Sequence, residues 1–541
     1  VKKLLEKIKN NKKGKKNKQD DNNKEKKQIN NKDSKTLKNV LEQYNLNKSL
    51  QKNIDLFQKD ILKDDGTIIY RKFKNRNSST EFCLIFIDGM VKSETINKSI
   101  IYPITTYNLN QNNKQGLNGG TEDLVQHISD EVIMVDDVKI VNSVDELIHN
   151  LLYGDSILFI DGYDKALIIN TKGWDTRSIE EPSSETIVKG PREGFNESII
   201  KNLSLIRRKI NSPDLKFKFR ELGVRSRTKI CIAYVEGIAN DKILRELEKR
   251  LDDINIDGIF STAAIQECIN DAPLSPFRTI GNTERPDVVA SKLLQGRIAL
   301  LCDGTPVVLT LPFLFIEYFQ VNEDYYDQFI FASMNRVIRI IGFIITIITP
   351  GIYVAITTFH KELIPTELAL SIYLAREGVP LPTVIESIVM LITFEIIREA
   401  GTRLPKHVGG AVSIVGALVL GDAAVNAKFV SAPMVIVVGV TGISGLIIYE
   451  MKAAIISLRF IFLIAASLFG IYGVIFVGMG LSIHLMSIKS FGIPYMLKIA
   501  NMEKYTIVDT TIRMPWWLLK YRTKFISKDF IRMKNNIKEK E

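Results

Sequence analysis

The residues best placed to do chemistry in this 541-residue chain are polar side chains standing in apolar runs. Glu386 and Glu395 interrupt the run LPTVIESIVMLITFEII (381–397). A carboxylate inside such a run is costly unless it meets a partner or a water-filled path. The two are nine positions apart, so at about 100° per residue they face opposite sides of a helix. At most one can line a pore, and the other has to pair with a neighbouring helix; Glu395 can also pair beside Arg398 at a membrane edge. A second set lies in VGGAVSIVGALVLGDAAV (408–425) and the residues after it. Ala411, Val415, Leu418, Asp422 and Asn426 share one helix face, within about 80° of arc. That face is narrow and apolar at one end and polar at the other. A narrow apolar ring gates by dewetting, and an acidic ring favours cations. Gly409, Gly410, Gly416 and Gly421 equally suit a tight helix–helix seam, with Asp422 at the water boundary.

Enzyme chemistry finds no such support. The sequence holds no GxSxG, HExxH or phosphate-binding GxxxxGK[ST] pattern, and its five histidines are scattered. Its four cysteines form no CxxC pair and have no histidine at ligand spacing, so neither a metal nor a disulfide framework is expected. The expectation is a non-enzyme without cofactor. Net charge is +11, much of it at the two ends. Such ends point to anionic membrane lipids and the cytoplasmic side, and the N-terminal tract, which has no interleaved aromatics and is followed by membrane runs, speaks against nucleic acid.

These residues have to be positioned by helices long enough for a bilayer, whose core of about 30 Å takes roughly 20 apolar residues. Five runs approach or exceed that: 339–358, 381–397, 408–425, 432–448 and 459–488. They define an all-α polytopic membrane domain over 338–490 with four to six spans. Basic segments at both ends and a basic loop at 398–407 ask for an even number of crossings. The long last run, with Gly470, Gly473, Gly478 and Gly480, has the glycines to bend or re-enter.

Ahead of the membrane runs the chain repeats itself. EFCLIFIDG (81–89) returns as KICIAYVEG (229–237), and LLYGDSILFIDGYDKALIIN (151–170) returns as LLQGRIALLCDGTPVVLTLP (293–312). Two matches at nearly one spacing predict a duplicated α/β subdomain, with copies at 78–175 and 226–312. Residues 1–75 read as a disordered Lys/Asn-rich arm with a short helix, and 176–225 as an inter-subdomain linker and helix. Residues 313–337 read as an interfacial amphipathic helix, and 491–541 as a basic cytoplasmic tail. Arg192 and Glu193 in KGPREGF, with Glu284 and Arg285 in NTERPD, are the expected contact surface between the copies.

Taken in chain order, several stretches resemble the A subunits of GerA-type spore germination receptors. They are GPREGFNE (190–197) with LIRRKI (205–210), SPF (275–277) with NTERPD (282–287), and the run 293–312. TPGIYVAITTFHKELIPTEL (349–368), REGVPLPTVIE (376–386) and DTTIRMPWW (509–517) extend the resemblance over roughly residues 80–520. The resemblance implies a multi-pass protein of the spore inner membrane with its soluble region in the cytoplasm. It implies a homo-oligomeric ion channel opened when nutrient is sensed. The implied partners are a transporter-like B subunit and a lipoprotein C subunit. A related spore membrane protein associated with dipicolinate release shares the A-subunit fold, and a nutrient-binding module is the other alternative.

Overall fold

A computed structural model of the chain describes residues 44–78, 80–108, 123–173, 185, 187, 189–403, 419–497, 509–523 and 525–532. Two compact units divide it: Val1–Ile179 with Ser198–Phe219, and Glu180–Glu197 with Arg220–Glu541.

The first unit begins with helix α1 (Leu50–Asp55), which continues as a wider turn over Leu56–Ile61. Strands β1 (Ile68–Lys74), β2 (Glu81–Ile87) and β3 (Val138–Val141), helix α2 (Val144–Leu152), and strands β4 (Ser156–Ile160) and β5 (Ala166–Ile169) follow. All neighbours pair antiparallel, in the order β1-β2-β4-β5-β3. Period-2 alternation sends Cys83, Ile85, Ile157, Phe159 and Ile168 to one face, against α1 and α2. Phe82, Leu84, Leu158, Ile160 and Leu167 go to the other, against helical turns between Ile96 and Val132. Both faces are buried, which is why β2 and β4 read as continuous apolar runs. Helix α3 (Ile199–Lys209) closes this unit, and its buried Arg207 pairs with buried Asp65.

The topology then recurs. Strands β6 (Leu215–Leu222) and β7 (Thr228–Val235), helices α4 (Asp241–Asp252) and α5 (Thr262–Ile269), strand β8 (Gly281–Thr283), helix α6 (Pro286–Leu294), and strands β9 (Ile298–Cys302) and β10 (Val308–Leu311) form a sheet ordered β6-β7-β9-β10-β8. The repeat extends to the backbone of its glycine turns. Gly89 and Gly237 have φ of 78° and 76°, Gly154 and Gly296 98° and 91°, and Gly162 and Gly304 91° and 84°. These left-handed turns are where glycine carries no Cβ penalty.

Two boundaries differ from the sequence reading. The copies begin at β1 and β6, before residues 78 and 226, so the last part of the supposed arm is structured. Both strands lie at sheet edges and carry charges (IIYRKFK, LKFKFREL), which masks their periodicity. The amphipathic helix expected over 313–337 is instead two short 3-10 turns, Phe315–Phe319 and Asn322–Tyr325, before a new helix starts at Phe329. Phe313, Leu314, Phe315, Ile316, Tyr318 and Phe319 are all buried, so no polar face exists to lie on a surface.

Among the described residues the second unit continues with helices α7 (Phe329–Thr358), α8 (Thr366–Arg376), α9 (Thr383–Arg403), α10 (Ala432–Leu446) and α11 (Lys452–Ser487). By length and composition, α7 and α11 could each cross a membrane. Helix α11 is broken at Gly470, whose φ of 61° and ψ of −140° leave helical space. A Cβ at Gly473 would lie 2.1 Å from the Ala465 carbonyl oxygen, whereas eight residues of straight helix separate such atoms by about 12 Å. The two limbs, 452–469 and 471–487, therefore fold back on each other as a helical hairpin, as the glycines of this run allowed. Its tip rests on His360 and Phe359 at the end of α7, and His484 returns to Ser275 of the second α/β copy. Each limb is about 26 Å long.

Candidate functional site

Buried charges in the helical part point inward, and their pairing shows which helix ends lie together. Glu386, on the first turn of α9, is fully buried. Its Oε1 accepts from the backbone N–H and the hydroxyl of Ser431, each at 2.6 Å, and Arg376 approaches its other oxygen at 3.9 Å. Ser431 is the N-cap of α10, where the helix dipole favours an anion. Glu395 faces α11 instead: Arg459 Nη1 lies 3.1 Å from it, and Arg398 also pairs with it. Arg459 is itself buried and reaches the Thr346 carbonyl of α7 at 3.3 Å. Glu399, further along α9, meets Lys452 at the start of α11 at 3.3 Å.

These contacts order the helices. The starts of α9 and α10 lie together at Glu386 and Ser431, and Phe394 lies against Gly442, so the two helices run the same way. Of the chain between them, the helical residues 419–426 are described; Ala411, Val415 and Leu418 lie outside the described residues. Asp422 and Asn426 do not. Both are exposed, and neither makes a hydrogen bond or ion pair among the described residues. Val419, Leu420 and Phe429 beside them are exposed too.

A second charged centre ties the base of α7 to the C-terminal segment. Arg336, with no exposed surface, donates from Nε to Asp324 and from Nη1 to Asp509, both at 2.7 Å. Arg339 adds two bonds to Asp324, at 3.0 and 2.9 Å, and Tyr325 donates to Asp509 at 2.5 Å.

Between the second α/β copy and the α10–α11 turn lies a cavity of about 450 Å³, walled by Glu185, Arg278, Lys292, Arg297, Glu317 and Glu450 among others. Glu317 pairs with both Lys292 and Arg297. Burial alone would raise its carboxyl, but the two cations outweigh that and hold it below the usual range. Glu185 accepts from Thr283 Oγ1 at 2.7 Å and from the Glu284 N–H at 3.2 Å. Burial above all pushes its carboxyl up to about 7, with the charge of Glu450 adding to the shift. The expected contact residues lie in this same unit. Arg285 is buried on Asp287 at 3.1 and 2.6 Å and reaches the Pro191 carbonyl at 3.4 Å, while the Glu284 carbonyl accepts from Phe195 N–H at 2.8 Å. The two motifs thus join each other; Arg192 is exposed and Glu193 partly so. Among the described residues no cluster of His, Cys, Asp or Glu could hold a metal ion.

The class is thus a duplicated antiparallel α/β module followed by apolar helices with inwardly paired charges, two of them long and apolar enough to cross a membrane. The family model of the Bacillus/Clostridium GerA spore germination protein matches residues 56–525, and the chain belongs to that family, as an A-type subunit. It is 41% identical over 483 residues to spore germination protein KA of Bacillus subtilis (strain 168), covering 89% of this chain and 87% of that one. It is 37% identical over 470 residues to spore germination protein GerLA of Bacillus cereus, covering 86% and 94%. Among solved structures, the N-terminal domain of the A subunit of the Bacillus megaterium spore germinant receptor GerK3 is 33% identical, covering 50% of this chain and 98% of that one, with a TM-score of 0.40.

Arg336, Arg376, Arg459, Asp324 and Asp509 were not singled out from the sequence. Arg459 heads the last apolar run, and that position was its only signal. An arginine there reads as a membrane edge until Glu395 is placed against it.

Proposed function

We propose that this A subunit works in a nutrient-responsive germination receptor of the spore inner membrane. Several copies form an ion-conducting ring, gated with a transporter-like B subunit and a lipoprotein C subunit. The observation that carries this reading is the pair Asp422 and Asn426, exposed and without a side-chain partner among the described residues, beside exposed apolar neighbours. A bare carboxylate against lipid would cost about 2.5–3.5 kcal/mol or more. Copies arranged about an axis would put it in water and form an acidic ring that favours cations. Helices α9, α10 and α11 carry exposed Ile385, Ile392, Ile436, Ile443, Ile464 and Phe476, a surface suited to lipid and to neighbouring copies. Six crossings, the upper bound of the four to six read from the sequence, suit the even number that two basic ends ask for. Both basic ends then share the soluble region's side, which is cytoplasmic.

The test is the native mass of the solubilised receptor together with ion flux in proteoliposomes. Several A chains per complex and passage of monovalent cations are expected; a single A chain per complex would sink the reading. The charged cavity favours one second reading, a binding site for a small polar nutrient in the second α/β copy. Calorimetric nutrient binding to the A subunit alone would favour it over the channel.

A further inference from the structure

We infer that the C-terminal segment and the base of α7 form a binding site for the phosphate of an anionic phospholipid headgroup. The inference rests on the membrane reading above and on a separate set of residues. Arg513 is 4% exposed, yet its guanidinium has no carboxylate partner among the described residues, and its Nε has no hydrogen bond. It lies 5.7 Å from the Tyr325 ring and 5.7 Å from the Trp516 ring. Arg532 stands over the same Trp516 ring at 5.3 Å, also without an acidic partner among the described residues. Two guanidinium groups thus stand beside one indole. The acids of the same segment are already committed, Asp509 to Arg336 and Asp529 to Arg522. The described acids of the segment thus leave both guanidinium groups available to an external anion, and a phosphate presents the oxygens a guanidinium fork matches.

The surroundings select a lipid over a soluble phosphate. Trp517 packs edge-on against Phe329 at 6.2 Å. Trp517, Leu518, Phe329, Ile330 and Phe331 are all exposed, and the apolar surface continues along α7 through Met334, Ile338 and Ile341. A soluble anion gains nothing from that border, whereas a phospholipid satisfies the arginines and covers the apolar rim together. Indole rings beside basic side chains at the end of a long apolar helix are typical of the headgroup level. The segment is held in place for this: Arg513 N–H donates to Ser333 Oγ of α7 at 3.1 Å, and Ser333 Oγ donates to the Arg513 carbonyl at 3.2 Å.

The experiment uses the full chain with Trp174→Phe, since the other two of its three tryptophans are Trp516 and Trp517. It is embedded in phosphatidylcholine bilayer discs containing a small fraction of brominated phosphatidylglycerol, or the same fraction of brominated phosphatidylcholine. Brominated phosphatidylglycerol should quench tryptophan emission more strongly, reflecting roughly thirtyfold local enrichment for two arginines. Arg532→Gln, at a partly exposed position, should lose part of that preference, and Arg513→Gln with Arg532→Gln should abolish it while quenching by brominated phosphatidylcholine is unchanged. Equal quenching by the two lipids in the unsubstituted site would overturn the headgroup site and leave the membrane reading standing. Loss of the preference on adding millimolar inorganic phosphate would reassign the arginines to a soluble anion. No quenching by either lipid would overturn the site and the membrane placement of α7 together.

Discussion

The two α/β copies share a strand order and three glycine turns, but they close their cores differently. In the first, each face of the sheet is covered by short helices of the same unit, leaving two self-contained clusters. In the second, the cluster around Ile230, Ile232, Leu300 and Leu309 runs on without a break into Phe343 and Ile347 of α7 and Ile455 and Phe462 of α11. One copy is a closed module. The other is the soluble end of the helical domain, joined to it by the same close packing that resists strain inside a core. Duplication thus supplied two equal frames, and in the second the core is continuous with that of the helices.

The largest effects should come from the buried arginine in each region. Arg207 is held by Asp65 and by the Ser212 and Leu215 carbonyls at 3.1 and 3.2 Å, and Arg336 by Asp324 and Asp509. Removing either leaves a buried carboxylate without its cation, at a cost of about 3–5 kcal/mol. Hydrogen exchange on the full chain should show Arg207→Ala exposing β1–β5 while α7 stays protected. Arg336→Ala should expose α7 and residues 509–513. If Arg207→Ala deprotected α7 and α11 equally, the contrast between a closed and a continuous core would be broken.

A smaller effect separates the copies at one repeated turn. Gly89 and Gly237 have nearly the same φ, so alanine costs about 1–2 kcal/mol of left-handed strain at either. At Gly237 a Cβ would meet nothing within 4 Å, but at Gly89 it would lie 2.6 Å from Ile200 Cγ2 and 3.0 Å from the Ile200 carbonyl. Moving that neighbour adds about 1–3 kcal/mol. Denaturation midpoints should therefore fall further for Gly89→Ala than for Gly237→Ala. Equal losses would mean that α3 yields freely in the closed copy.

How much of this was legible follows from what each signal depends on. The repeat was readable because it lives in short-range chemistry: apolar strands and glycine turns at fixed offsets. The edge strands β1 and β6 were not, since alternating charges hide a half-solvated strand in a basic stretch. The hairpin in α11 was visible only as an excess of glycines, because reversal at Gly470 rather than at Gly478 or Gly480 is decided by where His360 and Ala465 lie. The acids in the apolar run were legible as costly residues, and their helix-face separation put them on opposite sides of α9, but one was expected to be free to face a pore and both are paired. Which partners they took, Ser431 for Glu386 and Arg459 for Glu395, depends on residues 45 and 64 positions away.

The last comparison should leave stability almost unchanged and appear in ion movement alone. Asp422 and Leu420 lie on the same short stretch of helix, both exposed in one chain, two positions and so about 160° apart around the axis. If the Asp422 face turns to the shared axis, Val415, which the helical spacing of the sequence puts on that face, would form an apolar ring about two turns away. Water leaves such a ring, and an ion cannot enter without its hydration. Val415→Ala should widen and wet it, so that spores carrying it leak ions at rest or germinate without nutrient. Asp422→Asn should keep the resting state closed and change conductance or ion preference, because it alters charge and not width. Leu420→Ala, on the opposite side, should change packing and protein abundance with no resting leak. At matched protein levels, a Val415→Ala leak indistinguishable from wild type would remove this helix from the pore. Glu386 and Glu395 would not simply inherit the role, since both are already bound to protein partners. A conducting path there would require Ser431 or Arg459 to let go during opening, which makes Ser431→Ala the next variant to measure.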